Sequence, residues 1–464
     1  MQRDRGAMFG SVRQLTRKSL PFVVGVLGIS YVVADVSIYR ALVMLVAYGI
    51  IQLIVSRQLV SNWIIVVVLA GLFAGALAEY PDGSDLWIYQ SYGRMIVEYH
   101  ENPYVKVPAD FPDDPVMERV LPMYRNDPSV YGPVLVSGST AIARLTGESR
   151  TAGRLLWQSA SLGAVLASLW LMRRRGVDRG NLWLFASSPL VVYHLVNQAH
   201  NDVFMGFFLL IGCLAAERRR PVAAALCFSA AALVKSPAVI ALVVFVVWLV
   251  GRREYRSAVK AMLASAAGAI AVMLPFGVSN VLEPVVGEKG AVNATSLWNF
   301  VRGDAATFLW RPLRSVESDA GTLLSVVAVM LPLIVAVVAA WRGRGCPLHR
   351  SLTVGLLAYF VFALHPSVWY LGWLLPLAAL WPRDDALRIV GYSSLCLVTS
   401  QAWLMPVAAR LSGDGQLDLV DRLASVSLGV STLAGLWLVG RLLVLLSVDS
   451  GKRGQDALLE VSKP

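Results

Sequence analysis

Apolar stretches, each about as long as a lipid bilayer is thick, recur along almost the whole chain. A membrane-spanning α-helix needs about 20 apolar residues, with about 17 as the lower limit. The pattern predicts spans near residues 20–38, 41–56, 62–79, 153–172, 180–193, 202–217, 221–234, 237–250, 258–276, 320–341, 350–364, 368–381, 387–404 and 423–448. Because several stretches are short, we expect about 12–15 transmembrane helices. The chain is thus predicted to be an all-α polytopic membrane protein with one integral domain over residues 1–464.

Basic residues between the apolar stretches indicate how the helices are oriented. They cluster in the short segments RRRGVDR, ERRR, GRREYR, RGRGCPLHR and GKR. Short loops rich in Lys and Arg usually stay on the cytoplasmic side of a membrane. Placing them there puts both termini in the cytoplasm and assigns two long segments, 79–152 and 277–318, to the outer side. The polar segments HLVNQAHND and HPSVWY fall on the same outer side.

The first outer segment is expected to carry short helices that do not cross the membrane. Residues 131–147 are apolar, but a span there would place RRRGVDR and ERRR outside, so we expect a juxtamembrane or re-entrant helix. Pro133 at its start and Gly138 inside it are typical of a short, imperfect helix. Further upstream, an apolar stripe at helical spacing predicts an amphipathic helix in the membrane interface, formed by Leu86, Tyr89, Gly93, Ile96 and Val97.

Composition and charge agree with a membrane protein and argue against a nucleic-acid partner. The chain of 464 residues is 56% hydrophobic and 15% charged, whereas about a quarter of the residues in a soluble domain are charged. Its net charge of +11 lies in loops that face anionic lipid. The four cysteines lack a metal-binding spacing and are expected in the core. The basic N-terminus is expected to be an uncleaved anchor, because no small-residue cleavage site follows it.

Asp85 is the first candidate for chemistry, because it follows a span and precedes an apparent helix. Two interpretations are open. Ser84 or Asp85 could cap the first free backbone N–H groups of that helix. Alternatively, Asp85 could be a general base at the membrane surface, where a carboxylate within reach of a hydroxyl accepts its proton.

Lys235 is the second candidate, because it lies between two half-length apolar runs. Ionisable residues at membrane depth usually mark functional sites, and an ammonium group could bind an anionic phosphate. The alternative is that Lys235 extends to the outer interface from a helix end. The Ser236-Pro237 pair that follows is typical of such an end.

Two further polar segments carry several interpretations each. His194, His200 and Asp202 in HLVNQAHND could suggest a metal site, but they do not share a helical face and no Glu or Cys completes a ligand shell. A helix capped by Asn201 or Asp202, or hydrogen bonds to phosphate or sugar, are the alternatives. In HPSVWY, the tryptophan and tyrosine could form an interfacial aromatic belt or stack on a sugar.

These residues leave two classes of function open. One is a transporter or flippase for a lipid-linked or polar substrate, whose site forms at broken helices near the bilayer midplane. The other is a membrane enzyme that acts on a lipid-linked substrate at the outer surface. The unusual polar residues gather on one side and no internal repeat is visible. This distribution favours the enzyme.

A set of motifs then resembles a known family. SDLWIYQSYGRMIVEYHENPYVKVP is followed by YGPV, HND, the lysine of AALVKSPAV, and HPSVWY. Between about Tyr80 and Pro376 the series is similar to the actinobacterial polyprenyl-phosphomannose-dependent α-(1→6)-mannosyltransferase family. The resemblance implies the GT-C glycosyltransferase fold, in which a large first outer loop with juxtamembrane helices covers the active site.

The resemblance also implies roles for particular residues. Asp85 would be the general base, with Asp82 as the weaker choice. The donor phosphate would be bound by residues drawn from Lys235 and His200, which fall on family motifs, and from Arg302 and His365, which the predicted topology places on the same side. The sugar or the acceptor would contact residues drawn from Asp82, Tyr89, Tyr92, Asn102, Tyr104, Tyr131, Asn201, Asp202, Trp369 and Tyr370.

The expected reaction is an inverting transfer of a sugar from a polyprenyl phosphate at the outer face of the plasma membrane. Mannose follows from the resemblance, and arabinose or another sugar on the same carrier is the alternative donor. The acceptor is expected to be a glycan or a lipid-linked molecule. We expect no metal and no cofactor, because basic side chains would carry the charge of the phosphate.

Overall fold

The computed structural model describes residues 62–78, 85–287, 296–298, 319–412 and 429–449, together with a few isolated positions between 23 and 52. All regular elements in these ranges are helices, which confirms the all-α prediction. The predicted spans 20–38 and 41–56 lie almost wholly outside the described residues, as do Asp82 and Arg302.

The α-helices, numbered here in chain order, are α1 (Asn62–Ala76), α2 (Asp85–Val97), α3 (Pro133–Thr146), α4 (Arg150–Arg174), α5 (Arg179–Ala186), α6 (Asp202–Glu217), α7 (Pro221–Ala232), α8 (Val239–Gly251), α9 (Tyr255–Met273), α10 (Val278–Gly287), α11 (Asp319–Arg342), α12 (Leu348–Phe362), α13 (Leu375–Ala378), α14 (Arg383–Ser412) and α15 (Gly429–Asp449). A π-helix spans Leu190–Asn197. The 3₁₀ turns are Pro108–Asp110, Met117–Arg119, Pro122–Tyr124, Ser236–Ala238, Leu274–Phe276, Gly343–Gly345 and Val368–Trp373.

Several of the described helices are suited to a bilayer. Four are long and apolar enough to cross it, within Arg150–Arg174, Tyr255–Phe276, Val326–Gly345 and Gly429–Asp449. A fifth candidate is the π-helix together with α6, which are bent by 111° at a short break. Most of α9 is exposed through apolar side chains, as expected for a helix that contacts lipid. The total of about 12–15 spans stays a prediction.

Two predicted spans differ from the observed elements. The segment 180–193 divides into α5 and the first part of the π-helix, because Pro189 interrupts the helix between them. The segment 368–381 is a 3₁₀ helix followed by the four-residue α13. Neither segment forms one continuous α-helix of membrane length. The predicted bounds of 202–217, in contrast, coincide with those of α6.

The helices α2 and α3 pack against each other and contribute to a hydrophobic cluster of their own. Helix α3 has 14 residues and is therefore too short to cross the bilayer at about 1.5 Å per residue. The two helices pack so closely that a Cβ atom on Gly93 would lie 2.2 Å from the backbone oxygen of Ser139. Only glycine fits at this crossing.

Helix α2 is not the interfacial helix that its apolar stripe predicts. Every residue from Leu86 to Met95 is buried, including the polar ones. The reason is that the following segment folds over the outer side of α2. Arg94 anchors this cover by an ion pair with Asp114 at 2.7 Å and by a hydrogen bond to the Gly147 carbonyl at 2.6 Å. A helix covered on both sides loses the solvent-exposed face that an amphipathic stripe implies.

Substituting Gly93 with alanine is expected to destabilise the protein by about 1–3 kcal/mol or more, because the new methyl group meets backbone rather than a mobile side chain. The measurement is the thermal unfolding midpoint of the protein in detergent. Gly138→Ala on the facing helix is the matched control, since a Cβ atom added there would have no neighbouring atom within 4 Å. An unchanged midpoint for Gly93→Ala would contradict the close crossing of α2 and α3.

Candidate active site

A break between two helices positions the HND segment. The π-helix ends at Asn197, and α6 begins at Asp202 after a bend of 111°. Ala199 has a φ of 52°, in the left-handed region that residues other than glycine rarely adopt. Strained backbone of this kind is concentrated at functional sites. The turn places His200, Asn201 and Asp202 at the start of α6, inside the protein.

Asp85 faces this turn from the first position of α2. Its Oδ2 lies 3.2 Å from Nδ1 of His200, an ion-pair distance whose angle falls short of hydrogen-bond geometry. The Tyr89 hydroxyl donates to the same oxygen at 3.3 Å and accepts the Asn201 N–H at 3.5 Å. The contacts of the Asp85 side chain are therefore to groups across the site, although it also begins a helix.

The electrostatic surroundings keep Asp85 anionic and Tyr89 neutral. Burial alone would raise the pKa of Asp85, but the charges of His200 and Lys235 and the nearby donors outweigh burial, so that the pKa is lowered. For the Tyr89 phenol, burial and then the charges of Asp85 and Asp202 raise the pKa well above its usual value. Tyr89 therefore keeps the proton that it donates to the carboxylate.

A second pair of opposite charges lies beside the first. The Lys235 ammonium donates to Oδ1 and Oδ2 of Asp202 at 3.0 and 3.2 Å, and both side chains are buried. Trp373 donates its indole N–H to the same carboxylate. Lys235 also lies over the ring of Tyr370, 4.0 Å from its centroid. The charge of Lys235 is thus shared with a carboxylate and an aromatic face.

The 3₁₀ helix Val368–Trp373 supplies an aromatic surface under both basic residues. Trp369 stacks on the His200 ring, with centroids 4.4 Å apart and an angle of 11° between planes. Tyr370 stacks on Trp373 at 4.7 Å and contacts Lys235. These faces are occupied by protein side chains, so sugar stacking on Trp369 and Tyr370 stays a prediction for their remaining surfaces.

The YGP motif connects the start of α3 to the backbone beside Lys235. The Gly132 N–H donates to the Val234 carbonyl and the Val134 N–H to the Leu233 carbonyl. A Cβ atom on Gly132 would lie 2.1 Å from that Leu233 oxygen, so the close approach requires glycine. As a result, the start of α3 lies against the backbone directly before Lys235.

Tyr131, next to this contact, belongs to the site. Its ring meets Tyr89 edge to face with centroids 5.0 Å apart. Burial, followed by the charge of Asp85, raises the pKa of its phenol well above the usual value. Tyr92 lies on α2 and is buried, and the Asp85 charge contributes to raising its pKa after burial and Asp127. The structure thus brings both tyrosines into the electrostatic field of Asp85.

Asn102 and Tyr104 make contacts that hold the outer segment. The Asn102 amide donates to the Phe276 carbonyl at 2.8 Å, and the Tyr104 hydroxyl donates to the Tyr131 carbonyl at 2.8 Å. His365 is exposed and precedes the aromatic 3₁₀ helix. Binding roles for these three residues stay predictions, as do those of Asp82 and Arg302.

Asn201 differs from its neighbours because its side chain has no hydrogen-bond partner among the described residues. It is fully buried, and neither polar atom of its carboxamide makes a hydrogen bond within the part of the chain that the structure describes. Buried polar atoms are nearly always paired in folded proteins. Asn201 therefore has the capacity to donate to and accept from a bound hydroxyl. Across the described ranges, no group of three or more metal-ligating side chains comes together.

Comparison with known families bears on this constellation. A family model described as "Alpha-(1->6)-mannopyranosyltransferase, N-terminal domain" matches residues 10–252, more than half of the chain. The chain belongs to this family. The matched part contains Asp85, His200, Asp202 and Lys235.

Individual members of the mannopyranosyltransferase family align over shorter stretches. Alpha-(1->6)-mannopyranosyltransferase A of Mycobacterium tuberculosis is 26% identical over 345 residues, 70% of this chain and 65% of the relative. Alpha-(1->6)-mannopyranosyltransferase B of Corynebacterium glutamicum is 30% identical over 135 residues, 28% of this chain and 22% of the relative. The A enzyme of that organism is 27% identical over 170 residues, 36% and 34% of the two chains. This chain therefore covers less than two thirds of each of these three relatives.

Of the site residues in this family member, Trp373 is expected from the sequence only as part of the aromatic segment, and Gln198 is not expected at all. Trp373 donates to Asp202, and Gln198 contacts both His194 and His200. Trp373 lies in the aromatic segment already noted, where its position beside Tyr370 could have suggested a shared role. The sequence does not indicate a role for Gln198, because its contacts with the two histidines depend on the bend that follows the π-helix.

Removing one charge of the Asp202–Lys235 pair is expected to destabilise the folded protein. Asp202→Asn leaves a buried ammonium without its counter-charge, and such a loss costs about 3–5 kcal/mol. The thermal midpoint should fall in Asp202→Asn and recover partly in the double variant Asp202→Asn/Lys235→Met, which buries no unpaired charge. Equal midpoints for the single and double variants would show that the two residues are not coupled.

Proposed function

We propose that this chain is an inverting glycosyltransferase that moves mannose from a polyprenyl phosphate to a glycan or lipid-linked acceptor. The proposed location is the plasma membrane, with the site on its extracytoplasmic face. Family membership and the printed names of its relatives support mannosyl transfer. The basic loops between apolar stretches support the outer location. The observation that carries the proposal is the anionic Asp85 carboxylate facing His200 and Tyr89, with Lys235 nearby.

In the proposed reaction, Asp85 is the general base. The acceptor hydroxyl attacks the anomeric carbon, the bond from that carbon to the phosphate oxygen breaks, and the hydroxyl proton passes to Asp85. One displacement inverts the configuration at the anomeric carbon. Alignment of the two reactants in the site supplies much of the acceleration, and the carboxylate adds proton transfer. The lipid tail of the donor would enter from the bilayer between helices.

The basic pair His200 and Lys235 would stabilise the leaving phosphate. Each residue is matched with one carboxylate, so the site has little net charge before the reaction. When Asp85 takes up the acceptor proton, its negative charge disappears and the positive charge near His200 is no longer compensated. The increase in positive potential would coincide with the build-up of negative charge on the phosphate. Asn201 would bind a hydroxyl of the sugar or the acceptor.

Asp85→Asn is expected to lower kcat by about 10²–10⁴-fold, the usual contribution of a general base, because the amide cannot accept the hydroxyl proton. The measurement is transfer of labelled mannose from polyprenyl-phosphate mannose in membranes that contain the variant. Asp113→Asn is the matched control, since its carboxylate is exposed on the same outer segment. Full transfer by Asp85→Asn would rule out the base assignment.

Two further assays distinguish the alternative donor, polyprenyl-phosphate arabinose, and the alternative function, a transporter. Transfer from polyprenyl-phosphate arabinose in place of mannose would change the sugar while keeping the enzyme. Movement of intact labelled donor across proteoliposomes, with no sugar released from its phosphate, would support a transporter. The transport assay is included because α6 follows a bend of 111°, and broken helices also form the substrate sites of transporters.

The acidic limb of the pH profile provides an independent check on Asp85. Because the pKa of Asp85 is lowered, its carboxylate stays ionised as the pH falls and is protonated only below the usual range of an aspartate. We therefore expect that protonation of Asp85 does not lower kcat/KM at mildly acidic pH. The readout is initial transfer rate against pH, corrected for irreversible inactivation. A loss at or above the ordinary aspartate pKa would contradict the proposed environment.

A further inference from the structure

Gln198 lies between two imidazole rings at the bend before α6. Its Oε1 is 2.5 Å from Nδ1 of His194 and 3.1 Å from Nε2 of His200. All three side chains are buried. Neither the predicted site nor the proposed reaction uses Gln198, yet it contacts the ring that faces Asp85.

The chemistry of an amide oxygen determines where hydrogens lie in this cluster. Such an oxygen has two lone pairs and only accepts hydrogen bonds, so each ring nitrogen that faces it must carry a hydrogen. Nε2 of His200 is therefore a donor. Its other nitrogen, Nδ1, faces Asp85 Oδ2 at 3.2 Å. A neutral ring with its hydrogen on Nε2 would direct the Nδ1 lone pair at a carboxylate.

Two facing lone pairs repel each other, so the contact is attractive only if the pair carries a proton, although its geometry falls short of a hydrogen bond. The facing pair then holds one proton jointly, as imidazolium with carboxylate or as imidazole with carboxylic acid. The Tyr89 hydroxyl donates to the same Oδ2, which favours the carboxylate and therefore the imidazolium form. Stacking of His200 on Trp369 agrees with it, because a cation is attracted to the face of an indole ring.

We propose that Gln198 is a positioning residue that fixes the hydrogen of His200 on Nε2 and thereby keeps His200 as an imidazolium paired with Asp85. The charged and titratable groups around this pair are Lys235, Asp202, Tyr89, Tyr131 and His194. Lys235 and Asp202 balance each other, and the buried phenols of Tyr89 and Tyr131 remain neutral. His194 donates to Gln198 through Nδ1, and its Nε2 has no partner in the described residues.

The consequence for catalysis, which rests on the proposed function, concerns the leaving phosphate. Without the acceptor oxygen of Gln198, His200 can place its hydrogen on Nδ1 and donate to Asp85 as a neutral ring. The carboxylate then keeps a hydrogen bond, but the site loses a positive charge. Gln198 therefore acts on the charge state of His200 rather than on the substrate.

The direct test is ¹⁵N NMR of the full-length protein, labelled at histidine, in lipid nanodiscs. The chain has five histidines, so single His→Gln variants assign the signals. Near neutral pH we expect His200 to be doubly protonated and His194 to be neutral with its hydrogen on Nδ1. In Gln198→Met, which keeps the length of the side chain without an acceptor, His200 should become largely neutral with its hydrogen on Nδ1. This readout needs no transfer activity, so it stands even if the proposed reaction is wrong.

The pH dependence of mannosyl transfer is the second test. A hydrogen bond donated by a cation favours the charged form. Gln198→Met should therefore move the basic limb of the kcat–pH profile to lower pH by about one unit. This is the shift expected for the loss of one hydrogen bond donated by a cation. Gln198→Glu restores an acceptor and adds negative charge, so the limb should move to higher pH. Gln158→Met is the matched control, because Gln158 is a buried glutamine bonded to backbone carbonyls and to Arg154.

A purely structural role for Gln198 would give a different pattern. Both variants would then lose protein yield or thermal stability, as is expected of Gln158→Met, and the basic limb of the kcat–pH profile would not move. A neutral His200 in the wild-type NMR spectrum would overturn the proposal, and so would a shift of the limb in the same direction for Met and Glu. If membranes transfer no mannose while the NMR signals behave as expected, the proposed function fails and the role of Gln198 remains.

Discussion

The candidate site depends on the compensation of two carboxylates that lie inside the protein, Asp85 and Asp202. Asp202 is fully buried and Asp85 nearly so, and an isolated carboxylate in such surroundings is strongly disfavoured. Each therefore lies beside a basic side chain, His200 for Asp85 and Lys235 for Asp202. The four groups come from three separate parts of the chain. The surrounding fold must bring these parts together before either carboxylate can be buried in its charged form.

Unusual backbone features accomplish this assembly. The bend at the left-handed Ala199 turns His200 and Asp202 inward. The contact of Gly132 with the Leu233 carbonyl sets the start of α3 against the end of α7, next to Lys235. The 3₁₀ helix after α12 then offers three aromatic rings that cover both cations. Each feature departs from regular α-helix, and each lies where a charged side chain must be placed.

The sequence revealed the helices better than it revealed the contacts between them. Apolar length predicts most described helices to within a few residues, since burial in lipid demands continuous apolar runs. It also singles out Asp85, His200 and Lys235, because charged residues stand out beside apolar ones. Their pairing was not predictable, as it depends on the bend at Ala199 and on two close glycine contacts. For the same reason the apolar stripe on α2 was misinterpreted, because the Arg94–Asp114 pair that holds its cover spans distant positions.

Charge compensation also explains why the two ion pairs have different characters. Lys235 donates to both oxygens of Asp202, and a tryptophan completes the shell, so this pair has the full set of hydrogen bonds expected of a stable buried ion pair. Asp85 and His200 meet through one oxygen and one nitrogen, at an angle that falls short of a hydrogen bond. Under the proposed function, the incomplete pair would leave Asp85 able to accept the proton of the acceptor hydroxyl. The complete pair of Lys235 and Asp202 would then support the site without neutralising the proposed base.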